Sequence, residues 1–580
     1  MFSNLFKDKN FSLFTLSSLF FIGLGFLAVI LAILGIFYAG FFILYFLAFL
    51  TWVYFSQKIT FQFNREKFIV FSIIFLIALI FLVFSTPTIF SGRDQGSLSE
   101  AAIRLVQNHQ LKFSTPVSQE FFKIYGVGKA LNFPGFDYLQ NGNLITHFPV
   151  GYIAWLGAFF SIFGYFGLQL ANLISFIIFA FSFYLLLKMF CQKKSSLYFG
   201  LAIFLTSFVF YWFFKFTLSE NLAWMLLWLG IWQFSLFWKE GKKTNLILTL
   251  LTFGFFLTVR IEAILFLIII LALLFWKKRE VFDRKLNYWL AGTFLFYALV
   301  IFANQNFYLG VFKSLVKPFL ETGKSVNMFS WWDQEKYLFD VFSLYGILII
   351  LAFGFLGLLY FRKKKNYKIL IPFLIVSPTL FYLISPNITL DHPWMLRRFA
   401  FSIYPIFLFL TIVFIDALFK KKLFSYFIFS LFLIYNLFLM LLYLPFIPQS
   451  ISELKAPDIF TSQDLFLIDR MATGDPFAML SGPLSFQEKK NAVYFFNPQD
   501  LEKINLAKFE KIYIITSEEN VSFYQTSKIG KNLKPVSDYQ LSQLVLGNEQ
   551  KTKKELLESP VDFLRIDYLT TKGNIFEYIK

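Results

Sequence analysis

The chain is poor in the residues on which most soluble chemistry relies. It has one cysteine, Cys191, and three histidines in 580 residues. That excludes an intrachain disulfide and leaves neither a thiol pair for redox work nor a His/Cys spacing for zinc. No Gly-rich phosphate loop and no Gly-x-Ser-x-Gly elbow occurs. Charge is scarce too, at 15% of residues, and it is one-sided, with 53 basic against 35 acidic residues for a net +18. Such a balance can signal nucleic acid, but here Lys and Arg sit mainly in short clusters between apolar runs, where cytoplasmic loops carry them. The basicity is read as topology, with no nucleic-acid partner.

What the chain has instead is apolar length. Hydrophobic residues make up 57% of it and mean hydropathy is +0.63, so several uncharged runs reach the roughly 20 residues a helix needs to cross a bilayer. The 87 phenylalanines bias the whole chain and suit lipid-facing filler. This is the pattern of an all-α polytopic protein of the cell membrane. With the basic clusters at residues 7–10, 57–67, 188–196, 239–245, 277–285, 362–368 and 420–422 placed inside, the spans alternate consistently. Outside then fall residues 91–146, the turn at Ser219 and Glu220, residues 305–337, residues 386–398 and everything after about residue 445. The count is about 13 crossings, N-terminus in and C-terminus out.

Two apolar stretches are unusual. Residues 148–163 are too short for a span of about 17–25 residues and are expected to dip partway in or lie along the outer face, with protein or an aqueous cavity covering their ends. Residues 244–276 hold Arg260 and Glu262 mid-run and predict two short helices meeting at an outward turn. From about residue 450 the composition turns mixed. β-like runs at 465–468, 492–496 and 512–516, with a helical pattern at 498–509, predict a small extracytoplasmic α/β domain. The expected division is two N-terminal helices (1–67), a membrane module (68–445) with an outer loop at 91–147, and a soluble domain (446–580).

The charges near the bilayer are the candidate site, because exposing them to lipid is costly. Ser91-Gly92-Arg93-Asp94-Gln95-Gly96 follows an apolar span and opens a helical stretch that includes Glu100. Asp94 there is placed to act as a general base, or to pair with Arg93 and complement a helix dipole. Glu220, in the turn between two spans, falls on the same side. Arg260 stands in an apolar run with Glu262 as its nearest charge, and its guanidinium suits phosphate or carboxylate. Arg397 and Arg398 break the positive-inside pattern and suggest an anionic ligand, with Asp391 as the alternative partner. His147 is a candidate donor to a phosphate.

In order and side, these segments resemble bacterial GT-C membrane glycosyltransferases of the protein O-mannosyltransferase and lipid A aminoarabinose-transferase type, over roughly residues 68–420. Gly92-Arg93-Asp94-Gln95-Gly96 resembles the acidic start of that group's first outer loop. His147-Phe148-Pro149-Val150-Gly151-Tyr152, with Phe163-Gly164 downstream, resembles its Pro-Leu-Tyr segment, and Leu218-Ser219-Glu220-Asn221-Leu222 stands at its second acidic motif. Thr258-Val259-Arg260-Ile261-Glu262 resembles its helix break. The resemblance implies a polyprenyl-phosphate-linked sugar as donor and a lipid, glycan or protein acceptor, joined by one inverting displacement on the outer face. Asp94 would be the base, assisted by Glu220, while Arg260, Arg397, Arg398 and His147 would hold the lipid phosphate. Arg93, Gln95, Glu100, Trp331 and Trp332 would line the substrate cavity, and the C-terminal domain would meet the acceptor.

The chain departs from that pattern in having two extra helices before residue 68 and one acid where an Asp-x-Asp pair would stand. The second departure argues against an oligosaccharyltransferase-like metal site and leaves the role of Glu220 open, as it leaves assistance by a divalent ion. The competing readings are a lipid-linked-sugar flippase or transporter, an O-antigen ligase or polymerase, and a membrane sensor. A transporter would place its polar residues at mid-membrane, whereas these collect at one face.

Overall fold

The computed structural model describes residues 12–56, 64–277, 284–320, 328–384, 390–418, 422–447, 461–547, 555, 557 and 560–580. Helices account for 67% of the described residues, and among these residues six helices are long and apolar enough to cross a membrane, or up to nine if each bent pair is one span. Four more apolar helices are shorter, including Val150–Phe163, Lys243–Phe256 and Ala263–Trp276. The first matches the short segment expected at 148–163. The other two are the pair expected around Arg260. The basic loop expected at 7–10, with most of those expected at 57–67, 277–285 and 420–422, lies outside the described residues.

The helix Ser219–Glu240 is the axis of the bundle. It is 22 residues long and buried along most of its length, Trp224, Met225 and Trp228 included. Facing protein all round, it has no need of a lipid-like surface and can carry Glu220 and Gln233. The indoles of Trp224 and Trp228 donate to the backbone carbonyls of Ala400 (2.9 Å) and Phe401 (3.1 Å). These bonds seat the 60° bend between Trp394–Ala400 and Ile403–Leu418 against the axis.

Residues 91–147 hold the helices Asp94–Asn108 and Pro116–Tyr125 and a small antiparallel sheet, β1 (Gly128–Lys129), β2 (Phe136–Tyr138) and β3 (Leu144–Thr146). The stretch 305–337, expected as a loop, is mostly helical, within Gln305–Leu320 and Met328–Leu344. The first of these exposes Leu309 and Phe312. Apolar residues there recur at helical spacing among polar ones, so a helix forms without a long uncharged run.

The C-terminal region forms one sheet. β4 (Leu465–Asp469) lies between β5 (Asn491–Phe495) and β6 (Ile512–Ser517), all three parallel, and β8 (Ile566–Tyr578) and β7 (Leu533–Leu546) extend it antiparallel in the order β5-β4-β6-β8-β7. The helix expected at 498–509 is instead two short 3₁₀ turns, Pro498–Lys503 and Leu506–Lys508. Asn497 and Asn505 each accept a backbone N–H two residues on, and those local bonds divert the chain from a continuous helix.

This sheet region is fastened to residues 90–125. Ser91 bridges Ala478 in antiparallel fashion, Gly92 N–H donates to Phe477 O and Met479 N–H to Phe90 O, both at 2.6 Å. Arg104 donates to Ser485 Oγ at 2.6 Å and Tyr125 to Asp500 at 2.6 Å. Glu120, fully buried, pairs with Lys508 at 2.7 Å and accepts from Asn505 N–H at 3.1 Å.

A charged cluster as candidate active site

Local backbone geometry brings Asp94 to this end of the bundle. A Cβ on Gly96 would come within 1.8 Å of Ser91 O, so the turn into the helix Asp94–Asn108 closes only with glycine there. The start of that helix is then bolted to the segment that leads into the axis. Thr217 Oγ1 donates to Gln95 O at 2.9 Å, hydrogen-bonds Ser99 Oγ at 2.6 Å and also meets Thr88 Oγ1.

The end of the helix Phe208–Phe214 and the irregular backbone from there to Ser219 are satisfied by buried amides. Asn172 donates to Phe214 O and Phe216 O (3.1 and 2.9 Å), and Asn221 to Phe213 O and Phe216 O (3.2 and 2.6 Å). Such pairing is what allows non-helical backbone inside a membrane bundle. The break between Phe256 and Ala263 is held by Gly151, whose N–H donates to Thr258 O at 2.8 Å and whose missing Cβ would lie 2.3 Å from Thr258 Oγ1. Two of the segments singled out in the sequence therefore pack directly on each other.

Arg260 leaves that break as the hub of the cluster. It reaches Glu220 at 2.9 Å, Glu262 at 2.8 Å and Ser219 Oγ at 3.3 Å, with its plane 4.5 Å from the Phe401 ring. Glu220 lies in the first turn of its helix, where a negative charge complements the dipole. Glu262 also accepts from Tyr382 Oη and stands 3.9 Å from Arg398. Arg397 donates to Asp94 Oδ2 at 2.6 Å and also acts electrostatically on Glu220.

Three guanidiniums and three carboxylates thus share one region. They differ in access: the side chains of Glu220 and Glu262 are 5% and 10% exposed, that of Asp94 42%. Asp94 is the carboxylate that solvent or a substrate can reach. Arg398 is the least satisfied cation, its Nε buried with no hydrogen-bond partner among the described residues.

Other expected residues sort differently. Arg93 pairs with Asp391 at 2.6 Å and lies over the Trp394 and Phe477 rings (4.9 and 3.8 Å). Asp391 therefore serves Arg93, and Asp94 is held by Arg397, which reverses the two pairings weighed from sequence. Arg93 and Gln95 line a small cleft of about 30 Å³ with Trp394, Phe446 and Phe477, room for a water or two. Glu100 does not face it. Glu100 is buried against Arg104 (3.3 Å) and beneath Gly482, so it belongs to the contact with the C-terminal sheet, where a carboxylate is needed to balance Arg104.

His147 sits electrostatically close to Asp137 and Asp94. Burial pushes its imidazole below the ordinary histidine pKa, and the two carboxylates pull it back up. Trp331 and Trp332 fall outside the residues whose side chains are described. Tyr382 is a member that sequence reading missed, since nothing marks one tyrosine among 28.

Among the described residues no three His, Cys, Asp or Glu side chains are grouped to hold a divalent cation, and Asp94, Glu220 and Glu262 each face a guanidinium. What the arrangement can do is accept a proton at Asp94 beside arginines able to bind an oxyanion. No family model, curated protein or solved structure matches the chain.

Proposed function

We propose that the protein is an integral membrane glycosyltransferase of GT-C type, moving a sugar from a polyprenyl-phosphate-linked donor to an acceptor hydroxyl on the outer face of the cell membrane. The observation that carries this reading is the accessible Asp94 held 2.6 Å from Arg397 at the edge of a buried arginine cluster. A lipid-linked donor reaches such a site through the bilayer, and its phosphate has Arg397 and Arg398 to meet.

In this mechanism the acceptor hydroxyl gives its proton to Asp94 as its oxygen bonds to the anomeric carbon. The bond from that carbon to the phosphate oxygen breaks, its electron pair leaves with the lipid phosphate, and the configuration inverts. Arg397 exchanges Asp94 for the phosphate, which frees the carboxylate when donor is present. Arg398 adds a second cation to the leaving group. Glu220 and Glu262 hold Arg260, and Arg260 holds the helix break, so these three position the site and do not touch substrate.

The test is transfer of radiolabelled sugar from a panel of polyprenyl-phosphate sugars, in membranes with matched amounts of wild type and Asp94→Asn. A loss of about 10²–10⁴-fold in the variant is expected for removal of a general base. Equal transfer by both proteins overturns the role of Asp94. Absence of transfer by wild type across the panel, together with donor-dependent movement of lipid-linked sugar between leaflets, overturns the enzyme reading in favour of a flippase.

A further inference from the structure

The axial helix carries polar groups at both ends. Fifteen residues after Glu220, roughly 22 Å along the helix, Ser235 faces a second cavity of about 350 Å³ at the basic end of the bundle. That volume lies at the lower end of small-molecule pockets. Its inner wall is apolar, from Phe190, Trp238, Ile371 and Val413, and Lys239 and Lys368 stand among its lining residues. Both lysines are exposed, and neither makes an ion pair among the described residues.

Two buried polar atoms at this cavity lack hydrogen-bond partners among the described residues, Ser235 Oγ and Asp416 Oδ1. These side-chain atoms belong to residues 4% and 2% exposed. Asp416 Oδ2 is already satisfied by Gln192 N–H at 2.7 Å, and Lys193 Nζ, which donates to Asp416 O, stands 4.0 Å from Oδ1. A native protein seldom leaves such groups unpaired. Here a carboxylate oxygen calls for a donor, a hydroxyl can give or accept, and two cations stand outside them.

The geometry points to a binding site for a phospholipid whose headgroup joins a phosphate to free hydroxyls, as in phosphatidylglycerol. The phosphate meets Lys239 and Lys368, a headgroup hydroxyl donates to Asp416 Oδ1 and another hydrogen-bonds Ser235, and the start of an acyl chain lies along the aromatic wall. This site is independent of the Asp94 cluster and of its chemistry.

The test uses the full chain purified in detergent, with native mass spectrometry of bound lipid after adding phosphatidylglycerol or phosphatidylcholine, and with glycerol 3-phosphate as soluble competitor. Wild type is expected to retain one phosphatidylglycerol and to prefer it at least tenfold over phosphatidylcholine. Lys239→Gln/Lys368→Gln is expected to abolish that preference, and Ser235→Ala to weaken phosphatidylglycerol alone. Because both lysines are exposed, the double variant keeps its fold, which its unchanged elution and melting point verify. Competition by millimolar glycerol 3-phosphate would identify the same recognition with a soluble ester as occupant. Equal retention of the two lipids by wild type, or unchanged preference in the lysine variant, overturns the site.

Discussion

Replacing Arg260 by methionine removes the one group that holds two buried carboxylates. Its side chain is 7% exposed and reaches Glu220 at 2.9 Å and Glu262 at 2.8 Å. Breaking a buried pair by deleting one partner costs about 3–5 kcal/mol, because the charge left behind is uncompensated. Glu220→Gln in the wild-type background is milder, about 1.5–3 kcal/mol for one charged hydrogen bond, since Arg260 keeps Glu262 and Ser219. In the Arg260→Met background the sign reverses. Glu220 is then a buried charge left with the Ser219 hydroxyl and the fields of Arg397 and Arg398, and neutralising it to Gln stabilises the protein. The coupling between the two changes is expected in the upper part of the range for residues in contact, about 2–3 kcal/mol. The assay is reversible chemical unfolding of the detergent-solubilised chain followed by tryptophan fluorescence, for wild type, both single variants and the double. The reasoning is refuted if Glu220→Gln costs the same in both backgrounds.

Two further predictions concern the supports of the site. Burial raises the Glu120 carboxyl, but Lys123, Lys508 and Asn505 N–H outweigh it and hold its pKa at about 2, below the ordinary carboxylate value. A lowered folded-state pKa gives stability that is fully present above the unfolded value and lost as pH falls through the folded one. Glu120→Gln should therefore melt below wild type at pH 7, and the gap should close between about pH 4.5 and pH 2; a gap independent of pH rejects the assignment. Gly151→Ala sets a methyl 2.3 Å from Thr258 Oγ1 and 2.6 Å from Thr258 O, and should destabilise by about 1–3 kcal/mol as an overpacked contact. An unchanged unfolding midpoint for that variant would mean the break around Arg260 is free to shift.

Legibility in the sequence followed the physical signal at each place. Arg260 and Glu262 stood out because charges in an apolar run have few explanations, and the pair of short helices around them followed. The strands β4 and β6, buried at every residue, read as continuous apolar runs. By contrast, β7 mixes polar and apolar residues and holds Pro535, which an edge strand tolerates and which hides it from a periodicity search. Partners were less visible than sites. Asp94 and Arg397 are 303 positions apart, so no spacing rule connects them, and the sequence offered nearer partners for both. The number of crossings was harder still: among the described residues six to nine helices are long and apolar enough to cross, and the buried axis Ser219–Glu240, at 22 residues, is not one of them.

The C-terminal sheet gains its meaning from how it is attached. Its segment at 477–479 hydrogen-bonds residues 90–92, two residues before Asp94. Arg93 between them is clamped by Phe477 on one side and by Asp391 and Trp394 on the other. The 3₁₀ turn of Trp394 leads without a break into Arg397 and Arg398. One short path of contacts therefore runs from the sheet through Arg93 to both partners of the Asp94–Arg397 pair. A shift of the sheet relative to the bundle would have to move Gly92, and with it the turn that Gly96 closes. On the proposed function, an acceptor that meets the sheet would act on the base through that path.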